Sequence, residues 1–276
     1  MGPLRDDFAA LVAAGEQTDL ARCALAIARI AYPDLDPSPS LQRLDALAAA
    51  ARPRLSPAAS PEAASAALTG FLFGDCGFHG DQEEYYDPRN SYLNDVLERR
   101  TGIPISLSVV LIEVGRRLGL RLEGVGFPGH FLVRLAGRRG ALLLDPFFGG
   151  RPIEKRELLA RYRAFRGADV AALPPHALDP AGPHAILTRM LRNLLRVLLD
   201  RKEHERALTT ADLLLVLVPD SPEEVRVRGL LYEHLECSGA ALDDFRRYLA
   251  LLPDAPDAEQ MRERIAYLAR TATTIH

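Results

Sequence analysis

The sequence predicts an α+β protein with three parts: a helical N-terminal region, a core of one central helix plus an antiparallel sheet, and a tail of helical repeats. Three observations carry this. Apolar residues at three- and four-residue spacing fill the N-terminal region. Three short strand-like runs follow an unusually apolar helix near the middle. Six positions near the C-terminal end recur after 34 residues. The chain has 276 residues, 48% hydrophobic and 26% charged, enough to bury substantial cores. The expected divisions are 1–70 for the helical region, 71–165 for the core, 166–184 for a proline-rich linker and 185–276 for the repeats.

In the first region Leu11, Ala14, Leu20, Cys23, Ala24, Ile27 and Ile30 form an apolar stripe, and prolines at 33–40 and 53–61 mark helix boundaries. Cys23 lies on that stripe and is expected in the core. Residues 71–80 are glycine-rich and read as irregular; the acidic, aromatic stretch Asp81 to Asp87 follows. Ser91 is placed to cap a helix that buries Leu93, Val96 and Leu97 and stops at Gly102. Pro104 suits the first turn of a second helix, which buries Leu107, Val110, Leu111, Val114 and Leu118 and ends at Gly119. The strand-like runs are Leu122 to Phe127, His130 to Leu135 and Ala141 to Asp145, with turns at Pro128-Gly129 and over Ala136 to Gly140. In the tail, Ala207, Leu208, Leu215, Leu217, Pro219 and Asp220 return as Ala241, Leu242, Leu249, Leu251, Pro253 and Asp254. A period of 34 is that of tetratricopeptide helix pairs.

Charge and cysteine usage exclude several classes of function. The net charge of −3 gives no reason to expect a nucleic-acid or membrane-surface partner. Cys23, Cys76 and Cys237 are far apart and lack CxxC spacing, which argues against a disulfide framework and suits a reducing compartment. The acidic start without a following apolar region, and apolar runs far too short to span, make a cytoplasmic protein the expectation. His79, Asp81, Glu83, Glu84 and Asp87 are of metal-ligating type, but their spacing matches no ordered motif. A solvated acidic loop is expected there, with no metal and no cofactor. Arg99, Arg100, Arg116, Arg117 and Arg121 alternate with Glu98 and Glu113, which reads as a solvated helix face.

One pair stands out chemically. If the second turn is centred near 137–138, antiparallel pairing sets His130 opposite about position 145, beside Asp145. A carboxylate next to an imidazole fixes its tautomer and supports its protonated form, the base-and-orienter half of a nucleophilic triad. A structural histidine bonded across strands would have the same spacing.

The stretches Asn90 to Leu97, Arg100 to Ser108, Gly126 to Arg134 and Asp145 to Gly150 resemble the SirB1 family of bacterial proteins. The resemblance implies a transglutaminase-like (papain-like) core followed by tetratricopeptide repeats. It also implies roles. In transglutaminase-like enzymes a cysteine nucleophile stands at the N-terminus of the core helix, with histidine and aspartate on following strands. His130 and Asp145 match the last two roles, but the nucleophile position falls near Pro104, which has no nucleophilic group. Ser106, at the helix start, and Cys76, in the glycine-rich stretch, are the substitutes, against plainer roles as a cap and a loop residue. Asn90, Tyr92, Asn94 and Arg134 are candidate binding residues near the same cleft; alternatively Asn90 closes a turn and Asn94 supports a helix start. Two functions follow. The first is a catalytically diverged module whose repeat tail offers a concave groove to a protein or peptide partner, in a regulatory or interaction role. The second is an acyl-transfer enzyme using His130 and Asp145 with Cys76 or Ser106.

Overall fold

The structure is a computed structural model and describes residues 2–56, 59–137 and 140–273. The chain forms two compact units, Ala13–Met190 and a second in which Met1–Val12 joins Leu191–His276. The expected boundary at residue 70 therefore has no counterpart. Helix α1 (Pro3–Val12), with Phe8 and Val12 buried, belongs with the tail, while residues 13–70 belong with the core. Among the described residues no helix is long and apolar enough to cross a membrane.

The larger unit opens with α2 (Leu20–Ala28), α3 (Ser38–Ala51) and α4 (Pro61–Thr69). Asp19 starts α2 by accepting the Arg22 N–H at 3.0 Å, and Ser60 starts α4 by accepting that of Ala63 at 3.2 Å. Cys23 is fully buried on α2, as the stripe predicts. The expected irregular stretch is in part a π-helical turn, Gly70–Asp75, which ends at Cys76. Strand β1 (His79–Gly80) then pairs in parallel with β2 (Thr101–Gly102), and α5 (Leu93–Arg99) lies between them in sequence. Ser91 does not cap α5. Asp87 instead accepts the Arg89 N–H at 2.9 Å and caps a short 3-10 turn, Pro88–Asn90, after which α5 begins without a side-chain cap. Nor does α5 run to Gly102: Arg100 ends it in the left-handed region at φ 58°. Gly102 serves β2, where a Cβ would stand 2.6 Å from Ser106 Oγ.

Helix α6 (Pro104–Arg117) is the centre of this unit and is buried continuously from Pro104 to Gly115. Pro104 occupies its first position, and Gly119, at φ +81°, follows its end. The main sheet has the order β3 (Leu122–Phe127), β4 (His130–Gly137), β5 (Gly140–Asp145), β6 (Arg151–Pro152), antiparallel throughout. Of the expected second turn, residues 138–139 lie outside the described residues; Gly137 pairs with Gly140 on either side. The two sheet faces have different partners. Leu122 meets α6, so closely that a Cβ on Gly115 would stand 2.5 Å from it. Leu122 pairs with Leu135, and alternation puts Val133 and Phe131 on that same face. The other face carries Val125, Phe127, Leu132 and Leu143, packed with Ile153 and with Leu158 and Tyr162 of α7 (Lys155–Arg166). Burying each such side chain stabilises the fold by roughly 1.5–3 kcal/mol. Leu173 and Leu178 join this cluster, and the Ala181 N–H donates to Gly124 O at 2.7 Å. The segment expected as a linker is therefore part of the core.

The tail comprises α8 (Pro183–Asp200), α9 (His204–Leu217), α10 (Pro222–His234), α11 (Ser238–Leu251) and α12 (Ala258–Thr273), the division between units falling inside α8. Helices α9 and α11 start and stop 34 residues apart, as the repeat predicts. The turns ahead of them use left-handed, non-glycine residues at equivalent places, Lys202 at φ 59° and Glu236 at φ 60°. Gly229 lets α10 and α11 close together: a Cβ there would lie 2.8 Å from Phe245.

Candidate functional site

His130 is the first residue of β4, after the Pro128-Gly129 turn, and Asp145 is the last of β5. Paired positions in β4 and β5 sum to 277, so Asp145 falls opposite position 132, two residues from His130. A displacement of two keeps both side chains on one face. His130 Nε2 lies 2.8 Å from Asp145 Oδ1, and because a carboxylate only accepts, Nε2 carries the proton. The carboxylate is fully buried, the imidazole nearly so. Nδ1 makes no hydrogen bond among the described residues. Phe147 and Phe148 stand with ring centroids 6.2 Å from the imidazole. Arg189 of α8 fastens the turn from behind, donating at 2.8 Å to both Phe127 O and His130 O. Burial pulls this guanidinium below its ordinary value, with the Tyr85 hydroxyl acting against it.

Asp145 does not serve His130 alone. Its second oxygen, Oδ2, accepts from Arg161 Nη1 at 3.0 Å, and Arg161 Nη2 donates to Glu157 Oε1 at 2.9 Å. Arg151 then holds Glu157 with two hydrogen bonds of 3.0 and 2.5 Å. Hydrogen bonding to Arg151, with its charge and that of Arg161, keeps the Glu157 carboxyl below the ordinary carboxylate value. The support that a lone aspartate gives an imidazolium is thus divided with a guanidinium. Leu132 and Leu143 share the face of His130 and Asp145, which is the α7 face; α6 packs on the opposite one.

At the start of α6, Pro104 offers no nucleophile, and the Ser106 hydroxyl is fully buried and occupied. Ser106 Oγ donates to Asn90 O at 2.6 Å and accepts the Ile103 N–H at 3.1 Å, closing the first turn of the helix. Cys76 is half-buried; burial pushes its thiol up, and the nearby Arg100 charge only partly opposes this. Neither Ser106 Oγ nor Cys76 Sγ is hydrogen-bonded to His130 among the described residues.

Residues 39–192 match the Transglutaminase-like superfamily and residues 194–266 match Tetratricopeptide repeat. A UPF0162 protein of Xylella fastidiosa is 43% identical over 95% of this chain and 94% of its own length. A UPF0162 protein of Escherichia coli, YchA, is 30% identical over 89% and 90%, and protein SirB1 of Salmonella typhimurium is 28% identical over 84% and 86%. The chain belongs to the SirB1 (UPF0162) family. Its two matched segments are the transglutaminase-like core and the repeats that the fold displays.

The other residues singled out in this SirB1-family chain have local partners. Asn90 is fully buried: its amide donates to Asp81 Oδ2 at 3.0 Å and Glu84 O at 2.8 Å, and its Oδ1 accepts from Arg99 at 3.0 Å. Tyr92 is buried with its ring edge-on to Tyr32 at 6.0 Å. Asn94 Nδ2 reaches Asp95 Oδ1 at 3.4 Å, and Arg134 faces Glu123 across β3 and β4 at 3.7 Å. The acidic loop is self-contained. Burial pushes Asp81 up, but the Glu84 N–H, Asn90 and Arg99 outweigh it and hold its carboxyl below the ordinary value. Arg99 and Arg117 do not form a solvated face either, since Arg117 binds Glu113 and Asp45, each at 2.6 Å. Arg161 and Arg189 are the site residues that sequence reasoning misses. Glu157 and Arg161 stand at i,i+4, a weak pointer to a shared helix face; no pattern singles out Arg189.

Proposed function

We propose that this SirB1-family chain is a catalytically diverged transglutaminase-like protein that acts by binding a protein or peptide through its repeat tail. One observation carries the first half: the start of α6, where a transglutaminase-like enzyme holds its thiol, has Pro104 and a Ser106 hydroxyl locked between Asn90 O and the Ile103 N–H. The sharing of Asp145 between His130 and Arg161 supports the same reading. His130 and Asp145 then brace the strand ends as architecture. The second half rests on the tetratricopeptide match and on paired antiparallel helices of the kind that build peptide-binding grooves. We place the protein in the cytoplasm, on its three widely separated, unpaired cysteines.

The test is an acyl-transfer assay: the full-length protein incubated with a fluorescent primary amine as acyl acceptor and a glutamine-bearing donor peptide, read for amine incorporation and for peptide hydrolysis. The expected signal equals that of heat-denatured protein and is unchanged by His130→Ala. Incorporation or hydrolysis abolished by His130→Ala together with Cys76→Ala or Ser106→Ala would establish the enzyme reading instead.

A further inference from the structure

The polypeptide just after the His130–Asp145 pair is strongly basic. Residues 151–166 hold six basic and two acidic residues, a local charge of +4 in a chain of net charge −3. Part of that charge is neutralised in place, Arg151 and Arg161 by Glu157 and Asp145. Lys155, Arg163 and Arg166 meet no carboxylate among the described residues. Arg163 is fixed by donating to Val170 O at 2.7 Å, a neutral acceptor that leaves its charge unanswered.

Two phenylalanines stand in this field with large exposed areas, Phe148 at 43% and Phe165 at 58%. Arg161 lies over the Phe148 ring at 5.2 Å and Arg166 over that of Phe165 at 5.5 Å. Both stand close to the β3–β4 turn: the Phe148 ring centroid is 6.2 Å from that of His130, and Phe165 reaches within 3.7 Å of where a Gly129 Cβ would stand. Exposed aromatic rings paired with arginine are the composition of an interface centre rather than of an idle surface.

We propose that this surface, formed by Phe148, Phe165 and the arginine-rich end of α7, docks an acidic segment of another protein that carries apolar side chains. Opposite charge steers such a segment to α7, and its apolar side chains cover the two rings. A lipid surface fits less well, because the apolar stripe of α7, Leu158 and Tyr162, already packs on the sheet and leaves the helix nothing to insert. The proposal rests on the non-catalytic reading only in calling the occupant a partner rather than a substrate.

The test uses the full-length protein and a fluorescein-labelled twelve-residue peptide of glutamate, phenylalanine and serine, with binding read by anisotropy. The expected result is saturable binding, weakened about tenfold or more by the exposed pair of changes Phe165→Ser and Arg166→Glu. Replacing glutamate by lysine in the peptide, or raising salt to about 300 mM, weakens it likewise. Circular dichroism and melting of the variant, unchanged from the parent, show that the fold is intact. Equal affinity of parent and variant overturns the proposal. So does tighter association with phosphatidylserine vesicles than with the peptide, or a concentration-dependent dimer abolished by the variant, which would make the occupant a second copy. Mass spectrometry of the incubated peptide separates the two readings: a cleaved peptide sinks the non-catalytic reading and leaves the docking surface standing, whereas no binding sinks the docking surface alone.

Discussion

Ser106 shows how one hydroxyl decides between two readings of the same helix start. As a nucleophile it would need an open Oγ and a base within reach; in place of both it has the Asn90 carbonyl at 2.6 Å, the Ile103 N–H at 3.1 Å and complete burial. Such a hydroxyl matters to stability. Ser106→Ala removes both bonds and leaves the Asn90 carbonyl and the Ile103 N–H only their own long contact of 3.4 Å, a loss of two hydrogen bonds that costs about 2 kcal/mol. At the usual scaling for a unit of this size that lowers Tm by roughly 4–8 °C. Thermal unfolding followed by circular dichroism checks it. A Ser106→Ala protein that melts with the parent would mean that the hydroxyl is not engaged as described and would reopen its candidacy as a nucleophile.

Among the elements, the repeat helices are clamped by a single guanidinium. Arg228 of α10 donates Nη1 to Asp212 of α9 at 2.8 Å, and Nε and Nη2 to the two oxygens of Asp244 on α11, each at 2.7 Å. Burial disfavours the charge on Arg228, but the two carboxylates more than offset this and raise it above the ordinary guanidinium value. Removing one partner of a buried pair strands the other. Arg228→Met is therefore expected to destabilise the tail by about 3 kcal/mol, and the double change with Asp244→Leu to regain much of the loss. Urea unfolding midpoints of the four proteins close the cycle; equal losses in the single and double variants would show that Arg228 acts by packing alone. The clamp is not legible in the sequence, since its three residues come from three helices and no short spacing joins them. The 34-residue period was legible because α9 and α11 have the same length and the same left-handed turn before them. The three main strands were legible from their alternation, and the His130–Asp145 contact survived a register estimate wrong by two because an even slip keeps a side chain on its face. Local competition explains what failed. Asp87, four residues ahead of Ser91, captured the capping role, and Arg161 is one of several similar arginines on α7.

Across the whole molecule, the choice of arginine shapes the response to pH. Of the 34 basic residues only Lys155 and Lys202 are lysines, so nearly every ion pair rests on a guanidinium that does not deprotonate in the working range. The carboxylates in these pairs set the acid side. Burial pushes Asp81, Asp87 and Glu224 up, but hydrogen bonds and the charges of Arg99, Arg89 and Arg192 outweigh it and hold them below their ordinary values of 3.8 and 4.5. In Asp257 the Tyr248 hydroxyl leads the lowering, with Arg226 adding to it. A lowered native value means that the unfolded chain takes up protons first, so this stabilisation is complete above about pH 4.5 and is lost as pH falls. Asp95 acts in the opposite direction, raised by burial against its bond from the Tyr32 hydroxyl, and softens the acid fall. The alkaline side is governed by buried acids rather than by loss of cations. Burial, reinforced by the Asp19 charge, pushes the Cys23 thiol from 9.0 up to about 12. A raised native value confers stability that is complete below pH 9 and is lost as pH climbs toward 12. The expected Tm is therefore level from about pH 5 to 9 and falls on both sides. Cys23→Ala should flatten part of the alkaline limb and leave the acid limb unchanged. Calorimetric scans of both proteins from pH 3 to about 11 measure this; superimposable alkaline limbs would show that Cys23 does not hold its proton through burial.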